Sequence, residues 1–296
     1  MLRIDPKETK VPLLHSYLLG AVAPRPIAFA STIDKDGNPN LAPFSFFNVF
    51  SANPPILIFS PARSGRTGIT KHTYDNIKEV PEVVINVVNY NIVQQASLAS
   101  TEYPKGVNEF VKAGFNQLVS EKVKPFRVKE SPVQMECKVN QVIELGNHGG
   151  AGNLIICEVL LMHISDDVLD ANKNIDPNKI DLVSRMGANW YCRASGNAIF
   201  EVEKPNQDIG MGIDQIPASI RNSKILTGSN LAQLGNVQQL PVEKEIKEYR
   251  ENYLNFALEK CRGDTLQTEM ALHKHAKELL DAGKVNEAWK TLLVTN

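Results

Sequence analysis

The chain has only four cysteines, Cys137, Cys157, Cys192 and Cys261, and none stands in Cys-x-x-Cys spacing. That excludes a zinc ribbon and the disulfide framework of a small secreted domain. The cysteines read as small apolar residues, Cys137 and Cys157 most clearly because each sits in a strand-like run. No apolar run approaches the roughly 18 residues that a membrane-spanning helix needs. The opening Met1-Leu2-Arg3-Ile4-Asp5-Pro6 has neither an apolar h-region nor a small-residue cleavage site. The expectation is a cytoplasmic protein with no membrane partner. An excess of one charge is also lacking, since 32 Lys and Arg against 33 Asp and Glu leave a formal net charge of −1. Such a balance gives no long-range field to draw in nucleic acid, so any anion has to be held by a local cluster. Gly-x-Gly-x-x-Gly after a strand, a Walker loop and His-Glu-x-x-His are all absent.

What is present is a globular composition: 296 residues, 43% hydrophobic and 22% charged, enough for one large core or two smaller ones. Residues 26–33 and 55–60 are short apolar runs bounded by proline, and 82–88 is rich in β-branched residues, so all three read as strands. Asp34-Lys35-Asp36-Gly37-Asn38 supplies hairpin-turn chemistry, which predicts that 26–33 folds back on the segment from Asn40 and sets 40–48 opposite it. Long strands are expected at 133–145 and 153–164, and shorter ones at 182–186 and 198–202. Helical signals are short: 71–79 after Thr70, 91–100 after Asn89, and 107–113. Many strands with occasional helices predict a mainly β barrel rather than a doubly wound sheet.

Strand patterns stop near Lys204, which sets the expected boundary of a domain spanning 1–204. Residues 205–241 carry Gly, Pro, Asn and Gln with little periodicity and read as a connector. From Val242 to the end, 242–296, the pattern is helical. Ile246, Tyr249, Tyr253, Phe256 and Cys261 share a face of a helix ended by Gly263, a second helix spans about 265–281 and ends at Gly283, and a third carries Ala288, Trp289, Leu292 and Leu293. Residues 276–293 look like one helical hairpin of the tetratricopeptide type, without a repeat. Packing against the barrel or a second subunit is the expected role of this extension.

The chemistry concentrates in two stretches, PRPIAFASTIDKDGNPNLAPFSFFN at 24–48 and FSPARSGRTGITKHTYDNI at 59–77. The second sets Arg63, Arg66 and Lys71 among the hydroxyls of Ser60, Ser64, Thr67, Thr70 and Thr73, a combination that suits a phosphate. A helix opened by Thr70 would add its N-terminal N–H groups. In the first stretch, Asn40, Ser45 and Asn48 stand among small and aromatic residues, as a flat heteroaromatic ring with hydrogen-bonding edges requires. Phe44, Phe46 and Phe47 taken alone are core residues as readily as ring neighbours.

The order Arg25-Pro26-Ile27, Asn40-Leu41-Ala42-Pro43, Ser45-Phe46-Phe47-Asn48, Asn53-Pro54-Pro55, Lys71-His72-Thr73 and Asn76-Ile77 resembles the flavin reductase-like, FMN-binding split-barrel family, in the branch that includes flavoredoxin. Val107-Asn108-Glu109-Phe110, Ala113-Gly114-Phe115, Ser131-Pro132-Val133, Glu136-Cys137, Ile156-Cys157-Glu158-Val159, Ser184-Arg185-Met186-Gly187 and Trp190-Tyr191 extend the resemblance over about residues 10–200. It implies a six-stranded Greek-key split barrel, usually a homodimer, with FMN near the dimer interface. By that resemblance Asn40, Ala42, Ser45, Phe46 and Asn48 follow the ring and ribityl chain, and Arg63, Lys71 and Thr73 hold the phosphate. Asn86 lines the site from the next strand, and Arg25 of the first motif belongs to the cofactor set. The usual Lys-Asp-Thr is Lys71-His72-Thr73 here. His148 lies where related reductases often have Gly-Asp-His near the nicotinamide, and equally reads as an exposed loop histidine. His15, His163, His273 and His275 have no metal-like company and receive no role.

The implied activity is hydride transfer from NADH or NADPH to FMN, with an oxygenase or another electron acceptor as partner. That chemistry belongs to the flavin, so the lack of a Ser-His-Asp or paired-carboxylate set does not count against an enzyme. The alternative is an FMN-binding electron carrier without a nicotinamide site. An interaction protein with a vestigial barrel is the third reading.

Overall fold

Strand β1 (Ala28–Ile33) is buried along its whole length, the polar Ser31 and Thr32 included, because side chains pack on both of its faces. The computed structural model describes residues 1–202, 204–205, 209–254 and 265–294. They form two compact units, Met1–Phe200 and Glu201–Asn296. In the first, β1 pairs antiparallel with β2 (Pro39–Phe44) on one side and with β5 (Glu82–Val87) on the other. The turn between β1 and β2 forms as its sequence predicts. Gly37 takes φ +85°, and Asp34 Oδ1 accepts from the Asp36 and Asn38 N–H groups at 3.0 and 2.8 Å. The Asn38 side chain, with these backbone bonds, holds the Asp34 carboxyl below the usual carboxylate range.

The remaining ladder strands are β3 (Phe47–Ala52), β4 (Pro55–Phe59), β8 (Val133–Glu144) and β9 (Asn153–Ile164). Two short strands, β6 (Gln117–Leu118) and β7 (Arg127–Val128), pair with each other. Among the described residues the main sheet has seven strands in the order β2-β1-β5-β8-β9-β4-β3. This corrects the expected count of six, and the reason is local. The run 40–48 does not stay opposite β1, because its register ends at Ala28↔Phe44 and from Phe47 onward the chain pairs with β4. Ser45 and Phe46 therefore carry the chain from one edge of the sheet to the other. Three Cα steps of about 3.8 Å bridge Phe44 and Phe47, so the sheet must coil until its edges lie within roughly 11 Å.

Alternation along β1 feeds two cores. Ala28 and Ala30 join Phe59, Val83, Ile85, Cys137, Ile155 and Cys157, while Phe29 joins Leu41, Val88, Ile92 and Phe110. The two cysteines are packing residues, as expected. The helices of this unit are α1 (Val11–Ala21), α2 (His72–Glu79), α3 (Val93–Leu98), α4 (Glu109–Ala113) and α5 (Pro177–Ile180). Helix α1, VPLLHSYLLGA, buries none of its residues although it is largely apolar, and it has no polar stripe by which a surface helix is read from sequence. A hairpin of β10 (Leu182–Arg185) and β11 (Tyr191–Ala194) completes the unit. The strand expected at 198–202 is absent. A 3₁₀ turn, Gly196–Ala198, occupies its start, and Phe200 and Val202 are exposed without a ladder partner among the described residues.

The second unit is helical. It comprises α6 (Ala218–Arg221), α7 (Gly228–Gly235), α8 (Glu243–Tyr249), α9 (Thr265–Asp281) and α10 (Val285–Leu292). Residues 205–241, expected as a connector, supply Ile216, Ile220, Leu226 and Leu234 to its core, where they meet Ala276, Leu280, Trp289 and Leu292. Helix α7 starts with a capping box between Thr227 and Asn230. Helix α9 ends at Gly283, φ +74°, where Lys284 N–H bonds back to the Leu279 carbonyl at 2.8 Å. Phe256, Cys261 and Gly263 lie outside the described residues. No helix among the described residues is long and apolar enough to cross a membrane.

Candidate functional site

The two chemistry-bearing stretches meet in the first unit around a cavity of about 530 Å³, within the range of small-molecule sites. Strand β2 and the corner after it contribute Asn40, Ala42, Phe44, Ser45 and Phe46. The loop after β4 adds Ser60, Ala62, Ser64, Thr67, Ile69 and Thr70, and the start of α2 adds Lys71, His72 and Thr73. Thr101, Glu102, Tyr103 and Glu109 form a further wall, with His15 and Leu19 of α1.

Local chemistry fixes this arrangement. Asn40 Nδ2 donates to Thr73 Oγ1 at 2.9 Å, and both side chains are buried, so β2 is tied to the first turn of α2. Asn76 one turn on ties α2 to β1 by donating to Thr32 Oγ1 at 3.2 Å. Glu109 Oε2 accepts the Leu41 N–H at 3.1 Å, and burial pushes this carboxyl above its ordinary range. Thr70 does not open α2 as expected. Its hydroxyl donates to Asp75 Oδ1 at 2.8 Å, and Lys71, with extended φ and ψ of −87° and 148°, takes the cap position. The opening N–H groups of α2 therefore emerge at His72 and Thr73, beside the cavity. Lys71 Nζ contacts Glu102 Oε1 at 2.5 Å, which holds the Glu102 carboxyl below the usual range.

The loop after β4 is braced by the β8–β9 hairpin. Arg63 N–H donates to the Ala151 carbonyl at 2.8 Å and the Arg63 carbonyl accepts from Gly150 at 3.1 Å. A Cβ on Gly149 would lie 2.9 Å from the Gly65 carbonyl oxygen and 3.0 Å from that of Ser64. Backbone meets backbone there, and neither side can swing away. Gly149→Ala is expected to cost about 1–3 kcal/mol as an overpacking change, read as a lower urea midpoint at unchanged slope. Gly65→Ala is the control, because nothing lies within 4 Å of its Cβ position. Equal midpoints for the two variants would contradict the bracing.

Of the expected site residues, Asn40, Ala42, Ser45, Phe46, Lys71 and Thr73 line the cavity. Arg25, Asn48, Arg63, Asn86 and His148 do not, and their partners show why. Arg25 donates to the Leu19, Val22 and Met186 carbonyls, pinning the end of α1. Asn86 is fully buried, donating to the Phe29 carbonyl at 3.0 Å and accepting the Val128 N–H at 2.9 Å, so it staples β1, β5 and β7. Asn48 is exposed on β3, and its side-chain oxygen accepts from the neighbouring Val49 N–H at 2.8 Å. Arg63 turns to Glu144 at 3.4 Å. Glu144 also accepts from Tyr74 Oη at 2.5 Å, and burial together with that bond raises the Tyr74 pKa to about 12. His148 is exposed at the hairpin tip. Sequence reasoning assigned no role to Glu102, Tyr103, Glu109, His15 or Leu19. Only Glu109 carried a signal, through its place in Val107-Asn108-Glu109-Phe110.

The lining joins an apolar and aromatic surface (Ala42, Phe44, Phe46, Ile69) to amide and hydroxyl donors, and ends at a lysine and a helix N-terminus. Such a donor set fits a planar ring carrying a polar chain and an anionic group, as FMN does. Residues 20–179 match the flavin reductase like domain. The chain belongs to the flavin reductase-like family. An uncharacterized protein of Aquifex aeolicus (strain VF5) is 37% identical over 196 residues, covering 66% of this chain and 97% of the relative. The structure of nitrilotriacetate monooxygenase component B from Bacillus cereus superposes with TM-score 0.64 at 29% identity, covering 68% of this chain and 98% of that one. Flavoredoxin of Desulfovibrio vulgaris (Miyazaki F) shares the fold, at TM-score 0.54 and 19% identity over 68% of this chain and 97% of its own. Family membership places the chain among flavin-binding oxidoreductases. Among the described residues no group of three or more His, Cys, Asp and Glu is placed to hold a metal ion.

Proposed function

We propose that the chain binds FMN in this cavity and catalyses its reduction by NADH or NADPH. The observation that carries the reading is that Lys71 and Thr73, at the start of α2, share one cavity with Asn40 of β2 and with Ser45 and Phe46 at the corner after it. Lys71, the Thr73 hydroxyl and the opening N–H groups of α2 hold the phosphate. Asn40 keeps Thr73 oriented through their buried hydrogen bond. Ser45 offers a hydroxyl to the ring edge, while Ala42, Phe44 and Phe46 exclude water from its face. Bound FMN supplies the hydride-accepting ring, so the protein needs no side-chain acid or base for the transfer. Arg25, Arg63 and Asn86 support the walls rather than the ligand, and His148, outside the cavity, has no part in binding.

A homodimer and transfer of electrons onward to an oxygenase or another acceptor complete the proposal. Support for the second comes from the neighbour that is named as a monooxygenase component. Anaerobic mixing with NADH or NADPH is the test. Rapid loss of the oxidised-flavin absorbance is expected with at least one nucleotide. A protein that binds FMN and is bleached by dithionite but by neither nucleotide would be an electron carrier instead.

A further inference from the structure

Lys71, the cation assigned to the phosphate, already has an anion on it. Glu102 Oε1 lies 2.5 Å from Lys71 Nζ, and Glu102 Oε2 lies 3.9 Å from Arg66 Nη2. Glu102 also lines the cavity, beside Thr101 on the segment that follows α3. A carboxylate and a phosphate monoester ask the same of a lysine, a short charge-assisted hydrogen bond, and two anions on one ammonium repel each other. The side chains of Glu102 and Lys71 are 58% and 36% exposed, so the pair is solvent-screened and weakly held. Glu109 on the same cavity is different, because it is buried and committed to the Leu41 N–H.

We propose that Glu102 is a built-in competitor for the phosphate subsite, resting on Lys71 when no anion is present and swinging into solvent when a phosphate monoester binds. It loosens FMN, so the flavin exchanges with solution instead of remaining as a permanent group. This rests on the reading of the cavity as an FMN site.

Equilibrium binding of FMN and of riboflavin, which lacks the phosphate, separates the possibilities. Glu102→Gln and Glu102→Ala should each bind FMN about threefold to tenfold more tightly than the native protein, the range expected for removing a weak competing ion pair and its repulsion. FMN should dissociate more slowly by a similar factor, riboflavin affinity should be unchanged, and the gain should shrink at high salt. Native-like FMN affinity in both variants, with both flavins bound by the native protein, would overturn the competitor role alone. A gain shared equally by FMN and riboflavin would overturn it too, since Glu102 would then act on the ring or the fold. A native protein that binds neither flavin overturns this inference together with the FMN site.

Discussion

Lys71→Ala is expected to weaken FMN about tenfold to a hundredfold and to leave riboflavin nearly untouched. A charge-assisted hydrogen bond contributes roughly 1.5–3 kcal/mol, and about 1.4 kcal/mol corresponds to each decade of affinity. The lysine is a third exposed and already paired with Glu102, so screening and competition move the loss toward the tenfold end. High salt should reduce it further. The Lys71→Ala/Glu102→Gln double variant should recover part of the loss, because the unpaired carboxylate left by the single change also repels phosphate. Two controls follow from the cavity wall. Ser45→Ala should weaken both flavins, whereas Asn48→Ala should weaken neither, since the Asn48 side chain is exposed, accepts from the adjacent Val49 N–H and does not line the cavity. Titration by flavin fluorescence measures all of these. Equal losses of FMN and riboflavin in Lys71→Ala would place the lysine against the ring or in the folding of the loop.

Trp289→Ala should destabilise the helical unit by about 3–5 kcal/mol, the usual cost of deleting a large buried aromatic. Trp289 is fully buried among Ile216, Ile220, Leu234 and Leu280. Its Nε1 donates to the Leu234 carbonyl at 3.1 Å, so truncation leaves both a cavity and an unpaired buried acceptor. Domain stabilities are about 5–15 kcal/mol, and a loss of this size consumes a large part of one. Hydrogen exchange of the α7 and α10 amides reads the effect directly. Trp289→Phe should fall between the native protein and Trp289→Ala, because it keeps most of the volume but not the donor. Unchanged protection in Trp289→Ala would mean that the buried cluster does not hold these helices together.

The strands were legible because their signals are local: proline-bounded apolar runs for β1 and β4, an Asp-Gly turn for the first hairpin, long alternating runs for β8 and β9. The place of Lys71 and Thr73 on the cavity wall was legible for the same reason, since both stand at a helix start. A change of partner leaves no such mark. Nothing in Phe44-Ser45-Phe46-Phe47 announces that pairing with β1 stops and pairing with β4 begins, so one strand was read where there are two. The segment 205–241 was read as a connector because α6 and α7, at 4 and 8 residues, are too short to establish a helical period. Arg25 and Asn86 show the limit of motifs. A motif marks a position as constrained, and both side chains meet backbone partners instead of lining the cavity. Glu102 had no signal, because an acidic residue in a loop is ordinary until the lysine it meets is known.

The corner at Ser45 and Phe46 sets a rule about length. Phe44 is fixed by its register with Ala28, and the Phe46 carbonyl accepts the Ser60 N–H at 2.8 Å. Only Ser45 lies between these two anchors. One inserted residue would therefore either slip β3 by one position, turning every β3 side chain to the opposite face, or bulge into the cavity that the corner lines. Substitutions there change what the pocket wall is made of, whereas insertions and deletions change whether there is a pocket wall at all.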